Sequence, residues 1–175
     1  SNSSLTELNA EKKLEQFRKK SNNYLYPSFN TISGSGPNGA IIHYRASKKT
    51  NRKINKKDIY LCDSGGQYKY GTTDVTRTIC FSKPSKKIQR FFTLVLKGHI
   101  GVVTSNLSKN KTGHQIDYRA RKFLKDYGYD FKHGTGHGVG FYSNVHEGPQ
   151  SISKNNRVKL EEGMILSNEP GSVSY

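Results

Sequence analysis

The sequence predicts an α+β fold, and three observations lead there. Strand-like runs occur in hairpin succession as well as across helices, which favours antiparallel layers over a doubly wound parallel sheet. Two stretches carry apolar residues at helical spacing. The chain of 175 residues is long enough for one domain with a real core, and its 32% hydrophobic content falls in distinct runs.

The elements follow in order. Ser4-Leu-Thr-Glu7 reads as a capping box opening a helix to about Lys19, with Leu8, Ala10, Leu14 and Phe17 as a partial apolar stripe. "ISGSGPNG" (32–39) reads as a loop, "AIIHY" (40–44) as a strand, and the lysine-rich stretch 47–57 as an exposed connection. "DIYLCDSG" (58–65) and "DVTRTICF" (74–81) are strand-like, separated by the turn-rich "GGQYKYGTT". Ser85, after Pro84, caps a helix in which Ile88, Phe91, Phe92, Val95 and Val102 keep helical spacing. A further helix runs from about Asp117 to Tyr127, with Ala120, Phe123, Leu124 and Tyr127 inward and Gly128 placed to end it. "GMILSNEPG" (163–171) reads as a last strand leading to Glu169. His99 is expected on a helix face and His114 in a loop.

Composition narrows the function classes. No apolar run approaches the roughly 20 residues of a membrane span, and nothing resembles a secretory signal, so a cytoplasmic setting is expected. Cys62 and Cys80 lie in strand-like runs and read as buried free thiols. The formal charge of +16 raises nucleic acid as a partner, but the lysines are scattered, as in "SKKTNRKINKK" (47–57), without interleaved aromatics. A solvated basic surface is the favoured reading.

The richest stretch is "KHGTGHGVGFYSNVHEGP" (132–149). Gly134, Gly136, Gly138 and Gly140 would each cost a helix roughly 1 kcal/mol, so it is not a helical zinc motif. In an extended strand His133 and His137 lie about 13 Å apart at about 3.3 Å per residue, and cannot share one ion. Any metal here therefore recruits ligands from elsewhere. Hard divalent cations favour carboxylate oxygens with an occasional imidazole. Asp63 ends a strand, Asp74 starts the next, and Glu169 sits in Asn-Glu-Pro-Gly. Taken singly, each reads as readily as a turn residue.

Together, "YLCDSGGQYKYGTTDVTRT" (60–78), "HGTGHGVG" (133–140), "NVHEGP" (144–149) and "NEPG" (168–171) resemble the catalytic domain of the aminopeptidase P (Xaa-Pro aminopeptidase) branch of the pita-bread metallopeptidases. "GPNGAIIHYR" (36–45) is similar to that branch too. Four motifs in the right order make the resemblance specific. It implies a curved antiparallel sheet with helices on its convex face, two halves related by pseudo-symmetry, and a dinuclear metal site. It further implies Asp63, Asp74, His137 and Glu169 as metal ligands, with Asp74 bridging both ions. His146 matches a substrate-contacting, proton-shuttling residue, His43 a residue shaping the substrate pocket, and His133 another pocket histidine. The cofactor implied is two divalent ions, usually Mn2+, with Zn2+ and Co2+ also found in the family.

The implied reaction is hydrolysis of an N-terminal Xaa-Pro bond by a hydroxide bridging the two ions. The glycines would let a substrate backbone approach the strand. The partners are then peptides with proline at the second position, with no membrane involved and a homodimer possible in the full-length protein. A prolidase-like dipeptidase and a non-catalytic binding module with a basic surface are the competing readings. The family's fifth ligand, a glutamate after the Glu-Pro-Gly turn, has no counterpart before Tyr175, and the last strands are missing. A truncated catalytic domain, impaired by itself, is the expectation.

Overall fold

A computed structural model describes residues 5–109 and 111–172. The capping role read for Ser4 lies outside them, as do the final residues Val173–Tyr175. The described chain divides into two compact units. One takes in residues up to Pro84 with Phe141–Val145; the other takes in Ser85–Gly140 and the chain from His146 onward.

The first unit opens with helix α1 (Glu7–Arg18). Its N-cap is Thr6, whose hydroxyl accepts from Asn9 N while the Asn9 side chain accepts from Thr6 N. This is a capping box two residues later than the sequence predicts. The residue that α1 buries is not its apolar stripe but Glu7, which is fully buried, whereas Phe17 is exposed with the Lys13 and Lys20 ammonium groups over its ring. A buried carboxylate requires donors on all sides. Ser35 N, Arg52 N, the Tyr44 hydroxyl and the Asn38 amide supply them at 2.7–3.2 Å.

Three antiparallel strands carry the unit's main ladder: β2 (Ile32–Ser35), β3 (Ile59–Ser64) and β6 (Val75–Cys80), in the order β2-β3-β6. A smaller ladder joins β1 (Tyr24–Pro27) to the hairpin of β4 (Gly66–Tyr68) and β5 (Gly71–Thr72), in the order β1-β4-β5. Both expectations for residues 32–44 are reversed. The expected loop holds β2, and the expected strand "AIIHY" is a turn. Gly36–Ala40 is a 3-10 helix, Tyr44 N donates to Ile41 O, and Ile41 and Ile42 are exposed. Glu7 forces that shape, because its bonds to Asn38 and Tyr44 draw the segment round. The expected turn 65–73 contains the β4–β5 hairpin, and β1 lacks any alternation that would announce it.

Cys62 is half-buried and Cys80 exposed; both are free, so the buried reading fails for Cys80. Cys80 pairs with Ile59, three residues from Cys62, so the two thiols point to opposite faces of the sheet.

In the second unit, helix α2 (Lys86–Val103) starts at the predicted cap, Ser85 Oγ accepting from Ile88 N. Helix α3 (Gly113–Lys125) begins four residues before the predicted start, at a Thr112–Gln115 capping box, which places His114 on a helix rather than in a loop. Gly128, at φ +76°, follows its end as expected. Leu94, Ala120, Leu124 and Phe131 form the core, with Phe91, Val95, Val102 and Phe123 packed on it. Phe92 and Tyr127 are exposed instead. The helices approach so closely that a Cβ on Gly98 would stand 2.3 Å from Ala120 O.

Strands β7 (Gly136–His137) and β8 (Ser151–Ile152) pair antiparallel, and the other edge of residues 135–139 pairs with 165–169. "GMILSNEPG" thus runs alongside as an extended segment bridged at Leu166 to Gly138. Arg121 of α3, its side chain 3% exposed, fastens this layer. Its guanidinium donates to Asp117 Oδ2 (2.7 Å), Asp130 Oδ1 (2.8 Å), Phe131 O (2.5 Å) and His133 O (2.8 Å). Asp117 in turn accepts from Thr135 Oγ1 at 2.6 Å.

Two outcomes are expected. In Gly98→Ala, the helix-propensity gain of about 1 kcal/mol is outweighed by overpacking of about 1–3 kcal/mol, because the obstructing atom is backbone. The urea midpoint should fall, and an unchanged midpoint would show that α2 and α3 part freely. For Asp130, burial pushes the carboxyl up, but Arg121, the Phe131 N–H and Lys154 outweigh it and hold it at about 2. Its folded value lies below its ordinary one, so the stabilisation is complete above about pH 4 and is lost as pH falls towards 2. Asp130→Asn should flatten the acid limb of stability between pH 5 and pH 2, and an identical slope in both proteins would contradict the assignment.

Candidate metal centre

In the first unit the carboxylates are placed by register. Asp63 in β3 pairs with Thr76 of β6, and Asp74 lies two residues before Thr76. Asp74 immediately precedes β6, whose ladder with β3 ends at the Ser64–Val75 pair, so the register brings both aspartates to the same end of that ladder. Both are half-buried. Gly65 makes the geometry possible, since a Cβ there would lie 1.9 Å from Thr73 O and 2.2 Å from Ser28 Oγ. The turn entering Asp74 is pinned by Ser28 Oγ donating to Thr73 O (2.7 Å) and Gly66 N donating to Thr73 Oγ1 (2.9 Å). His43 is exposed on the 41–44 turn at φ +57°, a left-handed conformation costly for a side-chain-bearing residue.

In the second unit the pairing of 135–139 with 165–169 sets His137 beside Glu169. Ser167 N donates to His137 O and Glu169 N to Thr135 O, each at 2.8 Å. His137 Nε2 lies 3.1 Å from Glu169 Oε1. Its Nδ1 is 2.8 Å from Gly138 O, and a carbonyl only accepts, so Nδ1 carries hydrogen. That bond fixes the ring and directs Nε2 at the carboxylate. Ser167 Oγ spans the pair, accepting from His137 N (2.9 Å) and donating to Glu169 Oε1 (2.6 Å).

Burial raises the Glu169 carboxyl, but hydrogen bonds from His137 and Ser167, with the charges of His137 and His133, outweigh it and hold Glu169 below the usual range. It is therefore ionised at neutral pH. Once a cation displaces the Nε2 proton, an oriented imidazole nitrogen against an ionised carboxylate is a donor set that suits a divalent cation.

The exposed His146 ring lies 4.0 Å, centroid to centroid, from that of His137. His133 is exposed, stacked at 4.8 Å on Phe131, with Nδ1 bonded to Gly134 O. The glycines serve the chain itself. A Cβ on Gly136 would meet Ser167 O at 2.0 Å, and one on Gly138 would meet Glu147 O at 1.9 Å. The close approach expected for a substrate backbone is occupied at these two positions by neighbouring segments.

Reading by sequence missed Ser167, Thr135, Asp117 and Arg121. Only the Asp117–Arg121 spacing of four on a helix offered a signal.

Residues 2–174 match the profile of metallopeptidase family M24. The chain is 50% identical over 174 residues to an uncharacterized peptidase of Schizosaccharomyces pombe, covering 98% of this chain and 29% of that protein. It is 48% identical over 170 residues to a probable Xaa-Pro aminopeptidase P of Paracoccidioides brasiliensis, covering 95% and 28%. Among solved structures, it resembles X-prolyl aminopeptidase from Caenorhabditis elegans, described as a cytosolic enzyme with a di-nuclear active site, at TM-score 0.88 and 38% identity over 96% of this chain and 28% of that one. It also resembles prolidase from Pyrococcus furiosus at TM-score 0.82 and 34% identity, over 94% and 47%. The chain thus spans less than a third of the curated relatives named here. Its fold is the pita-bread fold of these enzymes, and the chain belongs to metallopeptidase family M24.

Proposed function

We propose that the complete protein is a metal-dependent aminopeptidase that hydrolyses the bond between an N-terminal residue and a following proline. The observation that carries this reading is the His137–Glu169 pair, preset by Ser167 and Gly138 at 3.1 Å, in a chain of family M24. Identities of 48–51% to several probable Xaa-Pro aminopeptidases P favour this branch of the family.

Asp63, Asp74, His137 and Glu169 are the proposed ligands, and two divalent cations, Mn2+ by family habit, the proposed cofactor. Such a pair of ions supplies an activated water and polarises the scissile carbonyl. The chain's residues do the rest. The carboxylates offer negative charge to the cations, and the ionised state of Glu169 readies it for that role. Asp74 is the proposed shared ligand. His146, exposed beside His137, donates to the tetrahedral oxygen or hands a proton to the departing nitrogen. That nitrogen belongs to a proline and carries no hydrogen in the substrate, so recognition depends on a pocket shaped for the ring, to which His43 and His133 are assigned. Among the described residues no helix is long and apolar enough to cross a membrane. A cytoplasmic setting and a homodimer belong to the same proposal.

The prolidase likeness, at 34% identity, keeps a dipeptidase as the second reading. Incubation of the complete protein and Mn2+ with an Xaa-Pro-Xaa peptide and an Xaa-Pro dipeptide separates them. Release of the first residue from the tripeptide is expected. Cleavage of the dipeptide alone would make it a prolidase, and cleavage of neither would leave a binding module. Asp74→Asn should reduce turnover to background and lower bound metal, measured by elemental analysis; full metal and full rate would remove Asp74 from the ligands. His146→Ala should keep its metal while kcat falls by about 10²–10⁴-fold. Metal loss in that variant would make His146 a ligand.

A further inference from the structure

We propose that His99, on helix α2, is a positioning residue for Glu169; the inference rests on Glu169 being a metal ligand. His99 and Asn168 form a reciprocal clasp across 69 residues of sequence. His99 Nδ1 lies 3.1 Å from Asn168 O, and Asn168 Nδ2 donates to His99 O at 3.0 Å. The carbonyl requires that Nδ1 carry the hydrogen. Asn168 Oδ1 is buried without a hydrogen bond among the described residues, so the bond to His99 O is what orients this side chain.

The clasp sits one peptide unit before Glu169, and the neighbouring constraints leave it a specific task. Glu169 N is held by Thr135 O on the opposite side. Pro170 follows and keeps Glu169 out of helical conformations. The remaining freedom is rotation around Asn168, and that is what the two bonds to α2 remove. The helix can act as the fixed point because Gly98, next to His99, is packed against Ala120 O too tightly for a side chain. His99 itself is exposed, so its ring contributes little to the core. A histidine with no counterpart among the motifs of the sequence thereby has a role at the metal centre.

Loss of an outer partner of a metal ligand typically weakens binding about 10–100-fold. The test is calorimetric titration of the metal-free complete protein with Mn2+ alone, for wild type, His99→Ala, His99→Asn and Glu169→Gln, together with the melting temperature of each metal-free form. In His99→Asn the amide nitrogen takes the place of Nδ1 and can still donate to Asn168 O. The expected result is Mn2+ binding about tenfold weaker in His99→Ala, recovery in His99→Asn, and little change in metal-free melting. Wild-type affinity in His99→Ala, alongside weakened binding in Glu169→Gln, would overturn the role of His99 and leave the ligand assignment standing. Unchanged binding in Glu169→Gln would overturn the ligand assignment and the inference with it. A large drop in metal-free melting for His99→Ala, with no recovery of affinity in His99→Asn, would make the clasp a stability feature and overturn the inference.

Discussion

The second unit depends on one buried cation. Arg121 is nearly inaccessible, and a guanidinium out of water is tolerated only when its donors are matched. Two aspartates and two backbone carbonyls match them, and the Phe131 ring lies 3.9 Å from the guanidinium carbon. Those carbonyls belong to Phe131 and His133, so satisfying Arg121 fixes the chain entering β7. Asp117 extends the hold to Thr135. The position of His137 is thus a consequence of charge satisfaction several residues away, and its ring is then turned by Gly138 O.

The first unit solves the converse problem. Glu7 is a buried carboxyl group whose hydrogen-bond partners among the described residues are backbone and uncharged side-chain donors. Its partners lie on β2, the 3-10 helix, Tyr44 and Arg52, so one carboxylate gathers the segments around the start of α1. The units also share a local pattern. Each has a helix capped by threonine, and each cap threonine forms an isolated antiparallel bridge, Thr6 to Lys53 and Thr112 to Lys159.

These buried groups also explain what could be read from sequence and what could not. Helix α2 was legible because a cap and a 3.6-residue period act locally, and β3 and β6 because apolar runs broken by turns act locally too. The turn at 40–44 was not, because "AIIHY" is extended by its own preference and is bent by a glutamate 37 positions before Tyr44. The ends of β7 were obscured because Gly136 and Gly138 report backbone contact, which has no periodicity. The proposed ligands were visible through four motifs in order; the residues that hold them were not, since Arg121, Ser167 and His99 act through carbonyls and hydroxyls that no residue pattern encodes.

Burial separates the proposed roles at the site. Asp63, Asp74, His137 and Glu169 are half-buried, whereas His43, His133 and His146 are exposed. A ligand must keep its geometry with or without the ion, and for His137 and Glu169 partial burial with fixed hydrogen bonds provides that. Groups that meet a peptide must be reachable by it, and a histidine exchanging protons near neutrality works best where solvent can restore its state. Glu169 shows the limit of this division. Desolvation alone would drive it towards its protonated form, useless to a cation, and the hydrogen bonds from Ser167 and His137 reverse that tendency. The same contacts that place the carboxylate therefore also keep it charged.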